Sequence, residues 1–162
     1  MTDVFKMMLA QLNPVVGDIA GNAGRARAAW ESAKAAGADM VALTEMFVTG
    51  NQTQDLIVQP AFVAAAVAAV EGLAVECEDG PGLGIGGPGP LGGKLYNGYY
   101  VLEGGRVHAR VLKHHLPNDA VFDEKRVFAS ADVHGPYVVK GVRIGTPICE
   151  DAWHPDVAET LA

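Results

Sequence analysis

The order in which apolar runs alternate with turn residues constrains this chain more than any other feature. Residues 5–12 form a compact apolar run closed by Asn13-Pro14, the pattern of a buried strand ended by a turn. Asn22 is placed to cap a helix whose apolar side carries Ala26, Ala29, Trp30 and Ala33, with Gly37 as its stop. Residues 40–43 read as a second buried strand, with Glu45 just beyond its end. From Pro60 to about Glu76, an Ala- and Val-rich segment with Pro in its first turn predicts a well-buried helix. Strand, helix, strand, helix selects a layered α/β domain over an all-β one.

The second half reads differently. Residues 80–93 hold eight glycines and three prolines. Within them Gly82-Leu83-Gly84-Ile85-Gly86-Gly87 matches the dinucleotide fingerprint in letters, but Pro88 and further Gly follow where a phosphate-binding helix would have to begin. The segment is expected to be a loop around a weak, glycine-diluted strand. Residues 96–102 and 106–112 are β-rich runs joined at Glu103-Gly104-Gly105, a hairpin signal. A second hairpin is expected from residues 137–139 and 142–148, turning at Lys140-Gly141 and delivering Cys149 directly after its second strand.

Composition narrows the function classes. With 12 Lys plus Arg against 19 Asp plus Glu, and no basic block, the chain lacks the clustered cations that nucleic acid or an anionic membrane surface requires. The longest apolar stretch, residues 61–70, is well short of the roughly 20 residues that span a bilayer. Cys77 and Cys149 are too few for a disulfide framework. The amino terminus, with Asp3 and Lys6 around a short apolar run, does not read as an export signal. A cytoplasmic, reducing setting is the expectation, and 162 residues at 49% apolar content suit one domain.

Glu45, Lys113 and Cys149 share one placement: each follows a predicted strand. In open α/β sheets ligands collect at that edge, where loops converge on a rigid sheet. A thiol is a poor nucleophile until deprotonated, so it needs a base or a nearby positive charge; the carboxylate can supply the first and the ammonium the second. Taken singly, Cys149 also reads as an inert small hydrophobe, Glu45 as a solvated loop acid and Lys113 as a surface residue. His114 and His115 are adjacent, and in an extended segment their side chains diverge. Cys149 and His154 match no zinc spacing, so no metal site is expected. No Gly-x-Ser-x-Gly elbow is present to support a serine hydrolase.

The residues around these positions resemble a known family. Gln11-Leu12-Asn13-Pro14, Val16-Gly17-Asp18-Ile19 and Gly21-Asn22 open the match. Thr44-Glu45-Met46-Phe47, Thr49-Gly50, Asp55-Leu56, Gly93-Lys94-Leu95-Tyr96-Asn97 and Lys113 with Leu116-Pro117-Asn118 continue it. The runs from Val121-Phe122-Asp123-Glu124-Lys125-Arg126-Val127-Phe128 and from Pro147-Ile148-Cys149-Glu150-Asp151-Ala152-Trp153 close it. In this order they resemble the nitrilase-like carbon–nitrogen hydrolase (glutaminase) domain of glutamine-dependent NAD+ synthetases. The resemblance implies an α-β-β-α sandwich, of which residues 1–162 would be the amino-terminal part, truncated after the nucleophile strand.

It also implies roles. Glu45 would be the general base, Cys149 the nucleophile that forms a glutamyl thioester, and Lys113 the oxyanion partner. Glu124 would be a second acid near the site, its alternative being a salt bridge with Lys125 or Arg126. The family carries a glutamine-binding tyrosine where this chain has Asp119, whose carboxylate is able to meet the substrate's α-ammonium instead. L-Glutamine would be the substrate, and ammonia would pass to a synthetase domain that uses ATP and Mg2+ and is absent from this chain, which itself needs no cofactor. Family members form homo-oligomers. The competing readings are a stand-alone nitrilase-type amidase and a catalytically silent remnant serving as an assembly module.

Overall fold

The computed structural model describes residues 4–162; Asp3 lies outside the described residues. Five strands form one sheet in the order β1 (Met7–Leu9), β2 (Met40–Ala42), β3 (Gly82–Leu91), β4 (Lys94–Glu103) and β5 (Arg106–Leu112). The first three run parallel and the last two antiparallel, so β2 and β5 point the same way. The loops that leave β2 and β5 therefore emerge at one edge, and those loops carry Glu45 and Lys113.

Helices α1 (Ile19–Ala35) and α2 (Pro60–Glu76) cover one face of the sheet. Alternation along the strands sends Val41, Tyr100 and Leu102 into the core beneath them, against Ala26, Trp30, Ala33, Val70 and Leu73. The neighbours Met40, Tyr99 and Val101 face the other way, where a two-stranded ribbon, β6 (Tyr137–Val139) and β7 (Val142–Ile144), packs with Val139 and the following Ile148. Only one side of α2 is buried, through Ala66, Val70, Leu73 and Ala74, while Val75 is exposed; the expected full burial becomes a half-buried helix. Both expected hairpin turns form, with Gly104-Gly105 and Lys140-Gly141 all at positive φ as tight primed turns require.

Four local expectations are corrected. Residues 5–12 contribute only a three-residue strand. The α1 cap is Asp18, whose carboxylate accepts from the Gly21 amide at 2.9 Å. Asn22 sits inside the helix, fully buried, and its side chain instead pins two loops through Val15 N, Val15 O and Val48 O. The glycine-rich segment is no loop: it is the ten-residue central strand β3, buried over most of its length. Finally, β7 ends at Ile144, so Cys149 does not follow a strand directly but opens a 3-10 turn over Cys149–Trp153 that leads to α3 (Pro155–Leu161).

Glycine in β3 is explained by what lies on it. A methyl group at Gly86 would stand 2.3 Å from the Met46 amide nitrogen and 2.6 Å from the Thr44 carbonyl oxygen. The strand is bare there so that residues 44–48 can lie flat on it, held by Gly86 N to Thr44 O at 3.2 Å and Val48 N to Gly86 O at 3.0 Å. Phe47, fully buried, then anchors the same loop in the helix-side core. Gly86→Ala is expected to destabilise the chain by about 1–3 kcal/mol, the usual effect of overpacking. Gly72→Ala, in open space on α2, is expected to be neutral or to stabilise by about 0.5–1 kcal/mol. Urea unfolding midpoints of the two variants check both.

Candidate active site

Three loops meet at the sheet edge. The β2–α2 loop brings Glu45, immediately before Met46, a non-glycine residue at φ 50°. The end of β5 brings Lys113, whose amide still donates to Asn97 O on β4 at 2.9 Å. The segment after β7 brings Cys149, at φ 49° at the start of its turn. A left-handed conformation at a non-glycine residue is strained and persists where the surroundings over-determine it. At Cys149 those surroundings are the buried Ile148 before it and Asp151 after it.

Lys113 is fully buried, against the surface reading of that residue. Its ammonium donates to Glu45 Oε1 at 2.7 Å and to Glu124 Oε1 at 2.8 Å. Glu124 thus pairs with Lys113 and not with Lys125 or Arg126; it reaches Lys113 from a 3-10 turn over Glu124–Arg126. Burial alone would pull the Lys113 pKa down, but the two carboxylates outweigh it and hold the ammonium above its ordinary value. Burial pushes Glu124 up, against the pull of Lys113.

Asn97 completes the cluster. Its Nδ2 donates to Glu45 Oε1 at 2.7 Å and faces Glu124 Oε2 at 3.5 Å. With carboxylates on that side the amide can present only its N–H groups there, which leaves Oδ1 buried and without a protein partner. Asp151, also buried, is the second residue that sequence reasoning passed over. Its carboxylate accepts from the backbone amides of His114 at 3.2 Å, His115 at 2.7 Å and Ile148 at 3.2 Å. One side chain therefore ties the segment after Lys113 to the segment before Cys149. Each carried a faint signal: Asn97 is a polar residue within an aromatic strand, and Asp151 an acid two residues past the thiol.

Glu45 and Cys149 line one cavity of about 230 Å3, with Leu43, Tyr99, Thr146, Pro147 and Ile148. A smaller cavity of about 70 Å3 lies on another side of the cluster, bounded by Met46, Ile57, Asn97, Phe122, Glu124 and Phe128. Burial pushes the Cys149 thiol above its ordinary pKa, Glu45 pushes further in the same direction, and Lys113 partly offsets them. The resting thiol is therefore protonated near neutrality and needs a base. Cys77, buried at the carboxyl end of α2, is pushed up to about 12 by burial and is inert by comparison.

Asp119 is not brought to this cavity. It is exposed and lines a separate open cleft with His114, His115, Lys125, Glu150 and His154. The two adjacent histidines do not diverge either: the chain bends at His115, and the two rings meet edge-on with centroids 4.4 Å apart.

Comparison with known proteins follows the same lines. The family model described as carbon-nitrogen hydrolase matches residues 8–162. The chain belongs to the carbon–nitrogen hydrolase family. It is 57% identical over 162 residues to the glutamine-dependent NAD(+) synthetase of Rhodobacter capsulatus, covering 100% of this chain and 29% of that protein. It is 37% identical over 166 residues to the enzyme of the same name from Xylella fastidiosa (strain Temecula1), with 99% and 30% covered. The chain thus spans under a third of the length of the curated relatives it matches. Among solved structures, the glutamine-dependent NAD+ synthetase of Acinetobacter baumannii in complex with ADP superposes with a TM-score of 0.90 at 32% identity, covering 96% of this chain and 29% of that one. An amidase from Nesterenkonia sp. shares the fold, with a TM-score of 0.81 at 23% identity over 97% of this chain and 60% of that chain. The expected α/β sandwich of the nitrilase type is therefore correct: helices, five-stranded sheet and the β6–β7 ribbon supply its α-β-β order within the described residues. No helix among those residues is long and apolar enough to cross a membrane.

The electrostatics give a measurable consequence. Alkylation of Cys149 by iodoacetamide is expected to rise with pH through a midpoint above that of a free thiol. Glu45→Gln removes the negative charge that disfavours the thiolate, so it should lower that midpoint and speed alkylation near neutral pH. Lys113→Met is expected to raise it. The same variant leaves two carboxylates without their cation and should destabilise the chain by about 3–5 kcal/mol. Rate–pH profiles and urea melts of the two variants test these signs.

Proposed function

We propose that this chain is the amino-terminal part of a glutamine amidohydrolase domain that generates ammonia for the synthesis of NAD+. One observation carries the reading: in a carbon–nitrogen hydrolase, Glu45 and Cys149 line one cavity above a buried ammonium held between Glu45 and Glu124. The relatives named above, all glutamine-dependent synthetases where identity exceeds 30%, support glutamine as the amide.

In this reading Glu45 takes the proton from the Cys149 thiol, and the sulfur attacks the side-chain amide carbon of glutamine. The C=O π bond opens to a tetrahedral oxyanion, stabilised by the Lys113 ammonium and a backbone N–H after the nucleophile. Return of the proton from Glu45 to nitrogen expels ammonia and leaves a glutamyl thioester. Glu45 then deprotonates water, which attacks the thioester; glutamate leaves and Cys149 regains its proton. Glu124 and Asn97 act by holding the lysine and the base, Glu124 through its ion pair with Lys113 and Asn97 through its hydrogen bond to Glu45. Asp119 stands outside that cavity and is given no part in the chemistry.

Ammonia would pass to a synthetase domain that consumes ATP with Mg2+ to amidate nicotinic acid adenine dinucleotide. A cytoplasmic location, in which Cys149 stays reduced, and assembly as a homo-oligomer belong to the same proposal.

Ammonia release from L-glutamine, measured on the chain and on a polypeptide that continues into a synthetase domain, tests the reading. Cys149→Ala should abolish release while leaving the far-UV circular dichroism unchanged, and Glu45→Gln should lower it by at least about a hundredfold. Asp151→Asn, which weakens the tie between the two loops, should reduce kcat about tenfold or more with a smaller change in KM, because it disturbs the placing of groups and not the recognition of glutamine. Retention of glutaminase activity by Cys149→Ala would overturn the mechanism. Faster hydrolysis of simple aliphatic amides than of glutamine would replace the substrate.

A further inference from the structure

We propose that His114, His115 and Asp156 form a binding site for a divalent transition-metal ion, of the zinc class, on the outside of the active-site loops. One ligand atom from each of these residues lies within 4.8 Å of the others. Asp156 Oδ1 and Oδ2 stand 3.0 Å and 3.1 Å from His115 Nε2, and Oδ2 stands 3.7 Å from His114 Nε2. Two ligands on a tetrahedral ion with bonds of about 2.0–2.1 Å are about 3.3 Å apart. The separations from Asp156 bracket that value, and the two histidine nitrogens lie within 4.8 Å of each other, so side-chain rotations that draw the histidines together close the three atoms around an ion.

The tautomer is arranged as well. His114 Nδ1 is hydrogen-bonded to the Ala131 carbonyl oxygen, and only an N–H can make that bond. The remaining nitrogen of a neutral ring, Nε2, then points its lone pair at the Asp156 side, the arrangement that holds an imidazole ready for a metal. Imidazole and carboxylate together suit the later first-row divalent ions. The surrounding cleft favours a cation, since Asp119 and Glu150 line it against a single Lys125. His154 stacks on His115 with ring centroids 3.7 Å apart and orients that ring from the other side.

The ion would join two segments that both serve the catalytic cluster. His114 and His115 directly follow Lys113, and Asp156 opens α3 just beyond the turn that carries Cys149. The site would thus repeat, outside, the tie that the Asp151 carboxylate makes inside. It does not depend on which amide the chain hydrolyses.

The test is calorimetric titration of the untagged, chelator-treated chain with Zn2+, in a Cys149→Ala background so that the thiol supplies no ligand. The absorption of bound Co2+ gives a parallel readout of coordination. The expected result is one ion per chain, with affinity lowered at least about tenfold by His115→Gln and by Asp156→Asn, and unchanged by His134→Gln. Asp156 is on the surface, so its variant folds even where a histidine variant does not. Absence of saturable binding at one ion per chain would overturn the proposal. Binding that Asp156→Asn and His115→Gln leave untouched, an adventitious ion only, would overturn it equally.

Discussion

Everything at the sheet edge depends on one buried cation. Lys113 has no contact with solvent, and an ammonium in that position is tolerated only when carboxylates surround it at hydrogen-bond distance. Glu45 and Glu124 meet that demand from two different loops, and Asn97 spans them from the neighbouring strand. The ion cluster is therefore also an assembly device, because the lysine can be buried only if all the loops arrive together. Glu45, in turn, is held by the same bond that keeps the lysine charged. A carboxylate bound in this way has one oxygen committed to Lys113 and Asn97, which fixes the orientation of the other.

The fold supplies the rigidity that this cluster needs. Packing on both faces of the sheet fixes β2 and β4, whose side chains alternate between the helix-side core and the ribbon-side core, while β5 adds Val111 to the ribbon side. Above them the Glu45 loop rests on a strand stripped of side chains at Gly86, with Phe47 sunk in the core. Cys149 is less deeply held. It sits exposed on a 3-10 turn, and its strained backbone is secured by Ile148 below and by the Asp151 carboxylate alongside. A rigid carboxylate and a secured thiol facing one small cavity are what a preorganised site requires.

Much of this was legible in the residues. Short apolar runs separated by turn signals located α1, α2 and both hairpins, and the placement of Glu45 and Lys113 after strands followed from them. What failed did so for identifiable reasons. The glycine-rich strand β3 looks like a loop because its stability comes from pairing on both sides and from the loop laid on it, which no local propensity records. Asn22 is an excellent cap by type, but Asp18 stands earlier at the true helix start, which frees the asparagine to pin the loops. Adjacent histidines diverge only in an extended chain, and a bend at His115 brings them together. Asp119 shows the limit of position-by-position transfer: its loop carries it away from the cavity where the resemblance would have it act.

The central claim is that Cys149, over the Glu45–Lys113–Glu124 cluster, is a nucleophile built for glutamine. The most direct measurement is intact-mass and peptide mapping after brief exposure to a glutamine-mimicking electrophile, with and without excess L-glutamine. The account predicts one adduct, on Cys149 alone, formed far faster than any on Cys77 and suppressed by glutamine. Labelling of Cys149 no faster than that of Cys77, or indifferent to glutamine, would contradict it.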